Sequence, residues 1–262
     1  MSIKNIIHYA LIFIVLVIFA HNFNGYTTVC NDQINTDYSA DTDNFTISLD
    51  TEAYILIWPS YDYGFKYGVM GKGKMYEFDI PDPDLFAAEG VWSHICVYKY
   101  ADSEGTYSFV ETGLKRYKIN WGVWISTYNK LYYAFRTRNG YTASIEVGDA
   151  ELNTVYGFKI VYVTNGKWMI VIKKLYSDEL ICTRIVDVGL YYGNYVYSQI
   201  ESTTDTLPSS NQNLFYWYNI RYQYGYSEWI TYYRWIDGYE DTNTFNNVET
   251  DTWTDGYKAY TT

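Results

Sequence analysis

Apolar and polar residues alternate along most of this chain with the two-residue period of β-strands. In "GTYSFVETGL" (105–114), Tyr107, Phe109 and Glu111 share one face, and Ser108, Val110 and Thr112 share the other. Similar runs include "AYILIWPS", "KMYEFDI", "WSHICVYKY", "WGVWIST", "KLYYAFRTR", "TASIEVG", "YGFKIVYV", "KWMIVIKKL", "LICTRIVDVGL", "YVYSQIES", "LFYWYNIRYQY" and "EWITYYRW". Turn chemistry separates them. Asn165-Gly166 and Asn139-Gly140 offer the positive φ angles that tight hairpins need. Beyond the N-terminus no helical periodicity extends past about two turns. The pattern predicts an all-β protein, an antiparallel two-sheet jelly-roll sandwich of about 12–14 strands.

The first residues follow another pattern. Lys4 precedes eleven continuous apolar residues, Ala10–Ala20, and polar sequence begins at His21. This predicts a signal peptide over 1–25, cleaved between Ala20 and Gly25. Counting the apolar run back to Ile6 would instead make it a retained anchor. A polar, acidic lead-in (26–40) follows. A single sandwich domain is expected over 41–262, with the tail after about 240 patterned least sharply. "TTDTLPSSNQN" (Thr203–Asn213) is the best candidate for an internal boundary and reads equally well as a loop. The protein is therefore expected to be secreted or held at the cell surface.

Charge narrows the partners. A net charge of −11, with no cluster of lysines and arginines, repels nucleic acid and anionic membranes. A glycan or an extracellular polypeptide is the expected partner, with no membrane contact beyond the signal segment. The three cysteines are Cys30, Cys96 and Cys182. Cys96 and Cys182 lie in strand-like runs and could either bridge the sandwich or remain buried thiols. Once a signal is removed, His94 is the one remaining histidine. That argues against multi-histidine metal sites and serine-protease triads, and no phosphate loop or dinucleotide fingerprint occurs. No cofactor and no metal are expected, so any catalysis falls to carboxylates.

Three acidic places stand out. "YEFDIPD" resembles the E-x-D-x-x-E strand of laminarinase-like β-glucanases through Glu77 and Asp79, with Asp82 in place of the last glutamate. The other two are Glu111 in "FVETG" and Glu201 in "YSQIES". From Trp92 to Asp205 the order "FVETG", "LYYAFRTR", "EVGD" (146–149), the Asn-Gly hairpin and "YSQIES" resembles the glutamic peptidases (eqolisin and neprosin types). These belong to the concanavalin-A-like sandwich group. The resemblance implies a catalytic pair, Glu111 and Glu201, in an acid endopeptidase. It also puts a glutamine at position 111 in the eqolisin type, and two glutamates in the neprosin type. Two carboxyls held close cannot both ionise, so one serves as acid while the other activates water.

The same face can be read as a binding platform. Sugars are held by aromatic rings and convergent polar groups, and Trp124, Tyr132, Tyr195, Tyr197 and Gln199 supply both beside the two glutamates. Carbohydrate recognition is accordingly the leading expectation, with the peptidase second and a structural surface or appendage subunit third. N-terminal sequencing of the exported protein should find a first residue between His21 and Tyr26. A chain retaining Met1 in the membrane fraction would establish the anchor instead.

Overall fold

A computed structural model describes residues 53–57, 65–99, 107–225, 228–231, 242–243 and 245–262. The signal segment, the lead-in and Cys30 lie outside these residues. The strands are β1 (Ala53–Ile57), β2 (Lys66–Met75), β3 (Ala88–Lys99), β4 (Ser108–Asn120), β5 (Ile125–Arg136), β6 (Thr142–Asp149), β7 (Val155–Thr164) and β8 (Lys167–Lys174). They continue with β9 (Glu179–Asp187), β10 (Tyr195–Ser202), β11 (Asn213–Tyr224), β12 (Glu228–Thr231), β13 (Thr242–Asn243), β14 (Val248–Trp253) and β15 (Gly256–Thr261). One sheet has the order β13-β1-β10-β3-β4-β5-β6, and the other β14-β15-β11-β2-β7-β8-β9, with β12 added to β11. Every pairing between these strands is antiparallel. This is the expected sandwich.

Turn residues behave as their chemistry dictates. Asn165 and Gly166 take φ values of 48° and 78° and close the β7–β8 hairpin, and Gly140 takes 87° between β5 and β6. The stretch Thr203–Asn213 carries the chain from β10 in one sheet to β11 in the other. It is a loop within the sandwich.

Two expectations need correction. β2 occupies "KYGVMGKGKM", a run whose glycines hide its strand character. Those glycines make room for a large ring: an added Cβ at Gly73 would meet Trp217 at 3.0 Å, and one at Gly71 would meet Ile220 at 3.2 Å. The tail, patterned least sharply, nonetheless supplies β15 beside β11, with Tyr257 and Ala259 fully buried. "WGVWIST" is a turn followed by the start of β5, not a separate strand.

The core between the sheets is aliphatic and aromatic, with one polar knot. Ser93 on β3 and Ser198 on β10 project from one sheet toward Tyr257 on β15 and Trp217 on β11 of the other. The Tyr257 hydroxyl lies 2.8 Å from each serine Oγ, and Trp217 Nε1 donates to Ser93 Oγ at 2.9 Å. The serines also reach the carbonyls of Gln199 (3.0 Å) and His94 (2.6 Å). Three hydroxyl protons serve four oxygen–oxygen contacts, so the knot is satisfied only as a unit. Tyr257→Phe is expected to cost about 1–3 kcal/mol, because it leaves buried serine oxygens short of a partner. Thermal or urea unfolding of the variant checks this, and an unchanged midpoint would refute it.

Candidate active site

On the face of the first sheet turned away from this core, rows of side chains cross β10, β3, β4 and β5. One row is Tyr197, Cys96, Glu111 and Ala134; the next is Gln199, His94, Gly113 and Tyr132; the third is Glu201, Trp92, Lys115 and Lys130. The two glutamates suggested by the sequence therefore share a face and flank β3 from opposite sides. They are two strands apart and four residues apart in register, since Glu111 pairs with Cys96 and Glu201 with Trp92. In a flat sheet that offset amounts to about 10 Å across and about 13 Å along for the backbone. Across the middle row the Glu201 charge still acts on Glu111.

Glu111 leans over Gly113 toward the imidazole, with Oε2 at 3.4 Å from His94 Nε2. Gly113, beside Glu111 in β4, lets that strand approach His94 in β3 closely. A Cβ there would stand 2.1 Å from the Ser93 carbonyl and 2.7 Å from His94 Cα. His94 is completely buried, and its Nδ1 lies 2.9 Å from the Tyr132 hydroxyl. On the other flank, Trp92 Nε1 donates to a Glu201 carboxyl oxygen. Lys115 Nζ reaches across to Glu146 Oε1 at 2.6 Å, and Lys130 pairs with Asp149 at the same distance.

Burial governs the electrostatics. The Glu111 carboxyl is held well above the usual carboxylate range, first by loss of solvent and second by the Glu201 charge, while a hydrogen bond from Tyr132 opposes both. Desolvation pushes His94 down from 6.5 to about 3, so the His94–Glu111 contact joins two neutral groups and is not an ion pair. Burial likewise raises the Cys96 thiol, the Tyr132 phenol and the Tyr197 phenol far above their ordinary values. Proximity of the carboxylates alone would have set one proton between them. Here the proton stays on Glu111 mainly because that carboxyl has little water.

The expected binding platform does not assemble. Tyr132 and Tyr197 do lie beside Glu111, but they are only 2% and 9% exposed, and Gln199 is buried with them. These rings have no open face for a sugar. Trp124 is 54% exposed and precedes β5, eight residues and about 25 Å along the strand from Tyr132. It neighbours Val123 and Ile125 at the far end of the sheet. Tyr195 occupies the row beyond Tyr197, opposite Tyr98, where Tyr98, Tyr107 and Phe109 stack in series and Arg136 covers Tyr107 at 4.4 Å.

Two further expectations fail on geometry. The Cys96–Cys182 bridge does not form: neither cysteine is in a disulfide. Cys96 lies on the outer face of β3, whereas Cys182 on β9 belongs to the core between the sheets. Glu77 and Asp79 are exposed in a non-strand segment after β2, and Asp79 is engaged by Ser209 (2.9 Å) and Gln212 (3.2 Å). No β-glucanase strand exists there. The sequence did not reveal His94, Trp92 or Gly113 as members of the site. Their alternation with Glu111 and Glu201 becomes a signal only once β3 is placed between β4 and β10. Among the described residues, no cluster of histidine, cysteine and acidic residues could hold a metal ion.

The architecture has solved counterparts. The crystal structure of Scytalido-glutamic peptidase with a peptide-based transition-state analogue matches with a TM-score of 0.51 at 8% identity, over 82% of this chain and 100% of that one. The fold is similar to that of the glutamic peptidases. SCP-B, a member of the eqolisin family of peptidases bound to the tripeptide Ala-Ile-His, matches with a TM-score of 0.48 at 7% identity and the same coverage. No protein-family model matches the chain, and no curated protein does. At such identity the likeness concerns the fold, and the chemistry rests on the geometry above.

Two buried groups with opposite shifts give the stability a defined pH profile. Glu111 has a folded value above its ordinary 4.5, so its contribution is intact below pH 4.5 and is lost as pH rises toward that folded value. His94 is lowered, so its contribution is intact above pH 6.5 and is lost as pH falls to about 3. Between 4.5 and 6.5 the two slopes oppose each other. Complete protonation of His94 opposes folding by about 5 kcal/mol, from a shift of about 3.5 pH units. Glu111→Gln should therefore gain stability over wild type as pH rises above 4.5, by up to about 1.4 kcal/mol per pH unit. Chemical denaturation at pH 4, 5.5 and 7 measures this. A difference that stays constant with pH would refute the neutral, buried Glu111.

Proposed function

We propose that this protein is an acid endopeptidase of the glutamic-peptidase kind, acting outside the cytoplasm with Glu111 and Glu201 as its catalytic pair. The observation that carries this reading is that Glu111, protonated by burial, and Glu201, hydrogen-bonded to an indole N–H, lie on one sheet face on either side of β3. The similar fold of the glutamic peptidases supports it.

The residues divide the work by environment. Glu201 in its carboxylate form accepts a proton from water, which then attacks the peptide carbonyl carbon as a general-base step requires. The neutral Glu111 faces the carbonyl oxygen and donates a hydrogen bond to the negative charge that develops there. In this role a neutral glutamic acid presents one donor and one acceptor, as a glutamine amide does. That equivalence explains how a glutamate can stand where the eqolisin resemblance implies a glutamine. The buried rings of Tyr132 and Tyr197 keep water from Glu111, which preserves both its proton and the strength of the hydrogen bond it gives. They favour this reading over a glycan platform, which needs open ring faces.

Cleavage of casein-type substrates between pH 2 and 7 tests the proposal. Glu201→Gln is expected to lower kcat by about 10²–10⁴-fold, the usual worth of a general base. Glu111→Gln should retain turnover and lose the decline at rising pH that ionisation of Glu111 causes in wild type. Absence of cleavage at every pH, or full activity in Glu201→Gln, would overturn the assignment.

A further inference from the structure

His94 is not needed for either role just assigned, yet it occupies the centre of the site. It is wholly buried, and its Nε2 has no hydrogen-bond partner in the structure although Glu111 Oε2 is only 3.4 Å away. A buried polar nitrogen without a partner loses its solvation uncompensated. A small rotation of the carboxyl removes that cost. The other nitrogen, Nδ1, is engaged by the Tyr132 hydroxyl at 2.9 Å. That contact can fix the tautomer: a hydroxyl that donates to Nδ1 leaves the ring proton on Nε2, facing Glu111.

We propose that His94 is a positioning residue for Glu111, its Nε2–H donating to Glu111 Oε2 while Tyr132 donates to Nδ1. The inference rests on the peptidase reading. It makes Oε2 the acceptor oxygen of the neutral carboxyl, so the acid proton sits on Oε1 and is free to address the substrate carbonyl. A glutamine at position 111 would be oriented in the same way, with its oxygen on His94 and its NH₂ toward the substrate. The arrangement requires a neutral imidazole, which the depressed His94 value supplies.

Several other groups face this pair. Cys96 and Tyr197 lie in the Glu111 row, and Gln199, whose amide raises the imidazole's proton affinity, lies beside His94 on β10. Glu201 acts on Glu111 from β10. Lys115 is on β4, held by Glu146, and Arg136 ends β5 with its guanidinium over Tyr107. Two competitions bear on the pair: the Gln199 amide oxygen could take the Nε2 proton instead, and Glu111 also hydrogen-bonds the Tyr132 hydroxyl, competing with Nδ1 for its single proton.

The ¹⁵N spectrum of histidine-labelled wild-type protein between pH 4.5 and 7 decides the point without any assay. A neutral His94 with its proton on Nε2, whose shift responds to Glu111→Gln and to Tyr132→Phe, is the expected result. An imidazolium, a proton on Nδ1, or a shift that responds only to Gln199→Ala would overturn the proposal. In turnover, His94→Leu should lower kcat about tenfold with KM within about twofold, as loss of orientation does, and His94→Gln should recover most of it. Unchanged kcat in His94→Leu would also overturn it. If wild type cleaves nothing, the peptidase reading fails, while the spectrum still judges the His94–Glu111 contact.

Discussion

The contact on which the site most depends lies behind it, where Ser93 and Ser198 meet the Tyr257 hydroxyl and the Trp217 indole. Ser93 precedes His94 in β3, and Ser198 precedes Gln199 in β10. Because successive side chains point to opposite faces, pinning these serines inward aims His94 and Gln199 outward. Their hydroxyls also approach the carbonyls of Gln199 and His94, so the two strands are tied to each other where their outward side chains meet. A polar knot in an apolar core holds register more strictly than aliphatic packing alone, because a slip would leave hydroxyls and an indole N–H unpaired in a dry interior. The tail contributes Tyr257, so the last strand in sequence supports the middle strand of the site.

With β3 fixed, the chemistry of the outer face follows from burial. Trp92, Tyr132 and Ala134 pack together there with Phe109 against them, forming a small apolar cluster apart from the main core. This cluster excludes water from the strip that holds His94, Cys96 and Glu111. Without solvent, each titratable group is driven toward its neutral form, whichever direction that requires. Glu111 and the phenols move up, and His94 moves down. The result is a nearly uncharged strip next to the row that holds Glu201 and Lys115, the latter paired with Glu146.

Much of this was legible in the sequence, and the parts that were not share a cause. Alternation exposed most strands because their two faces differ in polarity, and Asn-Gly pairs marked the hairpins. Glu111 and Glu201 were recognisable because a carboxylate in line with aromatic residues breaks the pattern. β2 was hidden because Gly71 and Gly73 interrupt its packing face between Val69 and Met75, leaving space for Trp217. The supposed disulfide failed because alternation reveals two faces without saying which is inward: Cys96 and Cys182 both sit among apolar neighbours, but Cys182 faces the core between the sheets and Cys96 the outer face of the first sheet. The same ambiguity made Tyr132 and Tyr197 resemble an open platform. They are outward from the core and still covered.

Net charge gives the pH profile of the site a wider setting. The chain carries −11 at neutral pH and has a pI near 4.7. The pI falls within the range from 4.5 to 6.5 where the shifts of Glu111 and His94 counteract each other. At pH 7 the surrounding negative potential repels acidic polypeptides and disfavours any further anion near Glu201. Near the pI that long-range repulsion vanishes, and the local arrangement of donors is left to discriminate. Further acidification gains nothing for Glu111, which is already protonated, and it begins to charge a histidine that has no room for its hydration. It also removes the carboxylate that the proposed general-base role of Glu201 requires. The neutral pair of His94 and Glu111 therefore persists between the pH at which the imidazole charges and the pH at which the Glu111 carboxyl ionises.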